Sequence, residues 1–171
     1  MKRLFFAIWP DECTRQQCVK IANAVVPEQA HSVQAANIHV TLLFLGNIDP
    51  DKEERFKQAL AAVQAPRMTL CFDKLSFWKK PGILCLTTTN PSPEIESFVE
   101  VLSKLARGLG IPIDERPFKP HVTLAKKVKN QVSLGFDPII WHSSSFSLVE
   151  SCQVSSGIVY RTVGEWKANK A

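Results

Sequence analysis

The chain has 171 residues, enough for one domain or two small lobes sharing a core and too few for two independent domains. With 45% hydrophobic and 22% charged residues, it has the apolar content for a packed interior and too much of it for a disordered chain. A net charge of +5 suits an anionic partner without requiring one, and no run approaches the roughly 18 apolar residues of a transmembrane helix.

Arg3 to Trp9 is short, aromatic and branched, and reads as a buried strand. Pro10 stops it too early for the apolar region of a signal peptide. Asp11 is placed to cap a helix whose apolar face is Cys18, Ile21, Ala22 and Val25. Ile38 to Leu45 reads as a second strand, with Ile38, Val40, Leu42 and Phe44 directed to the core by alternation. Asp49 and Pro50 then occupy cap and first-turn positions of a helix, where Asp51, Glu53 and Glu54 suit the positive end of its dipole. Its buried face would be Phe56, Ala59, Leu60 and Val63.

Met68 to Leu75 and Ile83 to Thr89 read as strands on either side of a Lys79–Gly82 turn. Ser92 and Pro93 start a third helix with a stripe of Ile95, Phe98, Val99, Leu102, Leu105, Ala106 and Leu109, ended by Gly110. Phe118 to Ala125 is a further strand, and Phe146 to Val154 with Ile158 to Trp166 form a closing hairpin. This order of elements indicates an α+β fold of largely antiparallel sheet with outer helices, over residues 1–171 as a single unit. The five cysteines (13, 18, 71, 85 and 152) are odd in number and lack a paired spacing, which points to reduced thiols in a cytoplasmic protein.

Residues 39–42 and 121–124 are the same tetrapeptide, His-Val-Thr-Leu, once in each half. The chain has four histidines and eight threonines, so two such coincidences are uncommon by chance. In a strand, positions i and i+2 share a face, so His39 points with Thr41 and His121 with Thr123. Two imidazoles on one cleft can act as general acid and base near neutrality, and two hydroxyls can donate to phosphate oxygens. That set suits phosphodiester cleavage without a metal. The plain alternative is two hydrogen-bonded core histidines beside ordinary strand threonines.

These residues resemble the 2H phosphoesterases, named for paired HxT motifs, and within them the RNA 2′,3′-cyclic phosphodiesterase branch, also called 2′-5′ RNA ligases. RLFFAIWP, NIHVTLLFLG, RPFKPHVTLAKKV and the closing Tyr160 to Trp166 carry the resemblance across nearly the whole chain, with Val163 where the family has Leu. It implies two related lobes around a central cleft lined by the HxT strands. It also implies hydrolysis of a 2′,3′-cyclic phosphate to a 2′-phosphate, with 2′-5′ ligation as the reverse. By that resemblance His121 is the proton acceptor, His39 the proton donor, and Thr41 and Thr123 hold the phosphate. The symmetry of the motifs assigns neither role by itself.

The family often has an arginine five residues after the second histidine; here Lys126 stands there, followed by Lys127. Lysine keeps the charge and loses bidentate recognition. Strict alternation puts Lys127 with His121, so the cleft-facing lysine is open, with Lys126 preferred by position. Phe6, Trp9, Trp78 and Tyr160 are candidates for stacking a base, although core packing also suits Phe6 and Trp9. Arg116, Lys119, Lys126, Lys127 and Lys129 gather positive charge around the second motif. His142, in a polar serine run, reads as a loop or strand-edge residue, and His31 as exposed.

The expected partners are single-stranded RNA ends with a 2′,3′-cyclic phosphate, or nucleotides, with no membrane, no cofactor and no metal, and a monomeric state. Two other readings stand beside this one. One is a non-catalytic RNA-end or nucleotide-binding module, and the other is a 2H enzyme for a small cyclic nucleotide.

Overall fold

The computed structural model describes residues 1–170. In chain order the elements are β1 (Lys2–Ile8), α1 (Glu12–Val25), the two-residue β2 (His31–Ser32), β3 (Val40–Ile48), α2 (Pro50–Leu60), β4 (Met68–Phe72), β5 (Lys74–Trp78), β6 (Ile83–Thr87), α3 (Pro93–Gly108), β7 (His121–Lys126), β8 (Ile139–Ser143), β9 (Ser145–Val154) and β10 (Gly157–Lys167). The large antiparallel sheet runs β10-β9-β1-β3-β7-β6-β5, with β2 added to β7, and β4 pairs separately with β8. β3 and β7 meet at one residue pair, Val40 with Val122. The sheet is therefore two lobes, β10-β9-β1-β3 and β7-β6-β5, joined at a valine seam.

α1 and α2 start where short acidic side chains satisfy the free amides of the first turn. Asp11 accepts from Thr14 N at 2.7 Å and Asp49 from Lys52 N at 2.8 Å. The face of α1 expected to be buried is buried, as are Ile95, Phe98, Val99, Leu102 and Ala106 of α3. Gly110, at φ 67°, follows the end of α3 in the left-handed region that glycine enters without strain. The principal core lies on the face of the sheet that these helices cover, and includes Leu4, Phe6, Ile8, Val40, Leu84, Val122 and Trp141.

Two expectations change, and the strand-edge reading of His142 is made specific. The predicted strand over 68–75 is two strands in different sheets, divided at Asp73, whose carboxylate accepts from the backbone amide of Thr89 at 2.9 Å and from its hydroxyl. The serine-rich stretch around His142 is β8, paired residue by residue with β4 and anchored by fully buried Trp141. Phe44 is 57% exposed rather than in the core.

The last change has a register cause. Ala7 pairs with Thr41 but Phe6 pairs with Leu43, so Leu42 is an extra residue in β3. Leu42 and Leu43 both turn to the core, and Phe44, opposite Phe5, emerges on the other face. β7 repeats the device. Cys85 pairs with Thr123 but Leu84 with Ala125, so Leu124 is the extra residue, Leu124 and Ala125 are buried, and Lys126 emerges. Both bulges sit on the leucine of His-Val-Thr-Leu. The two lobes share backbone irregularity as well as letters.

Candidate active site

Val40 and Val122 are fully buried against the core, so their chain neighbours face the opposite side of the sheet. Continuing the antiparallel register by one residue sets His39 across from Thr123 and Thr41 across from His121. Four residues that lie far apart in sequence are thereby gathered on one face, around a local twofold axis through the valine seam. His39 immediately precedes β3 and His121 opens β7, so each ring sits where its strand begins.

The two imidazoles are held alike. His39 Nδ1 donates to the carbonyl of Asn37 at 2.7 Å, and His121 Nδ1 to the carbonyl of Lys119 at 2.8 Å. A carbonyl only accepts, so Nδ1 carries the proton in both rings and Nε2 of the neutral ring offers a lone pair. On His39 that lone pair accepts from the hydroxyl of Thr41 at 3.0 Å. Burial pushes the pKa of each ring below the ordinary imidazole value, with the carbonyl bond opposing it; at His39 the positive charges of His121 and Lys126 act in the same direction as burial.

Aromatic rings surround His39. Tyr160 lies edge-on at 5.1 Å between centroids, Phe5 at 5.3 Å and Trp9 at 5.5 Å. Phe5, Ala7 and Val149 form a small buried cluster on this face, separate from the principal core. Burial raises the Tyr160 hydroxyl above its usual pKa. His121 has one such neighbour, the half-buried Trp78, at 4.7 Å.

The sequence-derived candidates sort accordingly. His39, Thr41, His121 and Thr123 share a face, and Trp9, Tyr160 and Trp78 stand beside the histidines. Phe6 does not: it is fully buried on the far face, packed against Phe56 and Phe146. Its neighbour Phe5 is the ring at His39. β1 is buried on both faces, so its hydrophobicity carries no parity signal that separates Phe5 from Phe6.

The bulge at Leu124 puts Lys126 on the His121 face despite its odd spacing, while Lys127, at φ 58°, turns the chain out of the strand. Arg116 is tied to the carboxylate of Asp114, whose pKa it lowers to about 2. Lys119, Lys126, Lys127 and Lys129 are exposed and, among the described residues, form no ion pair. His142 lies in the smaller sheet, hydrogen-bonded to Thr69 at 3.0 Å, and His31 is exposed in β2.

Known proteins resemble this chain in sequence and fold. A family profile described as LigT like Phosphoesterase matches residues 8–85. The RNA 2′,3′-cyclic phosphodiesterase of Escherichia coli (strain K12) is 28% identical over 168 residues, 96% of this chain and 96% of that one. Crystal structures of E. coli LigT complexed with 3′-AMP and with NADP+ align at TM-scores of 0.89 and 0.88, both at 26% identity. They cover 99% of this chain, and 99% and 98% of their own. Profile, near-full-length relative and fold agree: the chain resembles the LigT-like phosphoesterases in sequence and shares the fold of E. coli LigT.

Proposed function

We propose that the chain hydrolyses RNA 2′,3′-cyclic phosphate ends to 2′-phosphomonoesters by general acid–base catalysis between His39 and His121, as a monomeric cytoplasmic enzyme that is one bilobal unit. The observation that carries this is the twofold pairing of the two His-Val-Thr segments, with each Nδ1 committed to a carbonyl and Nε2 of His39 facing the Thr41 hydroxyl. The name of the E. coli relative and the 3′-AMP complex of its fold neighbour point the same way.

In this reading His121 Nε2 takes a proton from water as the water oxygen bonds to phosphorus. The bond from phosphorus to the ribose 3′-oxygen breaks, and protonated His39 delivers its Nε2 proton to that oxygen. Low proton affinity suits both roles: His121 stays neutral and able to accept, and His39 releases its proton readily. The Thr41 bond adds a switch. When His39 is protonated, Nε2–H donates to Thr41 Oγ1, which frees the Thr41 hydroxyl proton for a phosphate oxygen. Thr123 and Lys126 supply a second hydroxyl and a positive charge to the developing negative charge.

The test is a cyclic-phosphate-ended oligonucleotide incubated with the protein in EDTA, with the product identified. A 2′-phosphate end is expected, lost in His39→Ala and in His121→Ala. A 3′-phosphate end, or activity surviving either substitution, overturns the mechanism, and loss in EDTA favours a metal-dependent one. A small cyclic nucleotide is the second reading, favoured by the mononucleotide bound to E. coli LigT. Comparing rates on a mononucleotide and an oligonucleotide separates the two. A binding module without turnover would instead hold cyclic-phosphate ends with the same affinity in both histidine variants.

A further inference from the structure

We infer that Asn37 is the positioning residue of His39: its side-chain amide clasps β10 and so fixes the carbonyl that holds the His39 ring in its acting orientation. The catalytic meaning of this clasp rests on the function proposed above.

The segment leading into His39 has little rigidity of its own. It reads Val33-Gln34-Ala35-Ala36-Asn37-Ile38, without a proline, and contains one three-residue 3-10 turn, Ala35–Asn37. The second motif is built differently. There the carbonyl that receives His121 Nδ1 belongs to Lys119, which precedes Pro120, and a residue before proline is held to extended backbone. Covalent geometry restrains that carbonyl. At His39 the same bond is made to Asn37, and non-covalent contacts must do the restraining.

Asn37 is engaged in three directions. Its backbone N–H donates to the Gln34 carbonyl at 2.8 Å, its carbonyl accepts from His39 Nδ1 at 2.7 Å, and its Nδ2 donates to the Ile158 carbonyl at 3.3 Å. Arg15 steadies the same turn from α1, donating from Nη1 to the Ala35 carbonyl at 2.6 Å. The Ile158 bond reaches farthest. β10 lies three places from β3 in the order β10-β9-β1-β3, so the sheet must curl to bring Ile158 back to the start of β3. The same curl delivers Tyr160, two residues after Ile158, edge-on to His39 at 5.1 Å. Asn37 closes the curl where it meets the acid–base group. One side chain thereby ties the carbonyl behind the His39 ring to the strand that carries the ring beside it. A carboxylate of the same shape could not do this, because it has no proton to donate and the Ile158 carbonyl only accepts.

The experiment reads the histidine tautomers by nitrogen NMR at about pH 8, above the ordinary imidazole pKa. It also measures kcat and KM separately on a nucleoside 2′,3′-cyclic phosphate. In the wild type, His39 and His121 should both carry their proton on Nδ1. In Asn37→Ala and in Asn37→Asp, His39 should become a mixture of tautomers while His121 stays unchanged. In both variants kcat should fall roughly ten-fold with KM unchanged, short of the ~10²-fold that a misplacement of about 1 Å can cost. Asn37→Asp keeps the shape of the side chain, so equal effects in the two variants assign the role to the donated bond rather than to bulk. His121 reports an intact fold in the same spectrum. An unchanged His39 tautomer, a change at both rings, or a loss confined to KM overturns the clasp. The spectrum needs no turnover: a wild-type protein that leaves the cyclic phosphate uncleaved removes the hydrolytic reading, while the tautomers still decide whether Asn37 positions the ring.

Discussion

His39 and His121 hold their protons more weakly than free imidazoles, chiefly because burial disfavours the charged ring. The sequence marks these residues as the chemistry-bearing pair but says nothing of this shift, which comes from the packing of Phe5, Trp9, Tyr160 and Trp78 around them. In the mechanism proposed above, it moves both limbs of the rate profile. In free enzyme the base must be neutral, which holds above its lowered pKa, and the acid protonated, which holds below its own. The kcat/KM maximum is therefore expected on the acid side of about pH 6.5. A pH series in which that maximum lies above 7.5 would contradict the geometry. The same shifts act on folding. Each ring binds protons more weakly folded than unfolded, so its contribution to stability is complete above about pH 6.5 and is lost as pH falls through the folded value. Urea denaturation of wild type and His39→Gln at pH 7.5 and pH 5 should show the smaller decline in the variant.

Among the elements, the helices were the most legible part of the chain, because their signals are local. Asp11, Asp49 and Gly110 announce boundaries through groups a few residues away. Strand assignments failed where partnership decided the outcome, as at Asp73, which directs β4 and β5 to different sheets through bonds to distant Thr89. Glu53, at the positive end of the α2 dipole, does more than the sequence implies: it is only 5% exposed and joins that helix to β1. Its carboxylate takes bonds from Lys57 at 2.8 Å and Lys2 at 3.1 Å. Burial pushes its pKa up, but the two lysines outweigh burial and hold it below the ordinary value. Its stabilisation is thus present above about pH 4.5 and fades as pH falls through the folded value. Glu53→Gln is expected to cost about 1–2 kcal/mol in chemical denaturation at pH 7, since it leaves two ammonium groups without their counter-charge. Lys2 is well exposed, which keeps the figure below that of a fully buried pair.

At the scale of the molecule, the β3 and β7 strands of the two lobes join, among the described residues, at the single pair Val40 and Val122. That seam was invisible in the sequence, which showed two copies of a tetrapeptide but not that they would pair with each other. The basic cluster was visible, although its composition changes: Arg116 is neutralised by Asp114, and four lysines remain. Binding of a single-stranded RNA end should therefore weaken with salt. Lys119→Ala, Lys127→Ala and Lys129→Ala should each flatten the log–log salt slope by about 0.7 if that side chain neutralises a phosphate. Arg116→Ala should leave it nearly unchanged. Fluorescence anisotropy across a salt series measures both, and an Arg116 effect as large as those of the lysines would show that its charge is free for RNA.

The twin bulges also settle which parts of this scaffold are free to vary. A strand with strict alternation would turn the side chain five residues past each histidine inward, where a phenyl ring is welcome and an ammonium group is not. Because both strands carry the extra leucine, both positions open to solvent, and the interior imposes no residue type on either. A descendant of this fold can therefore change either residue by point substitution while its core stays untouched.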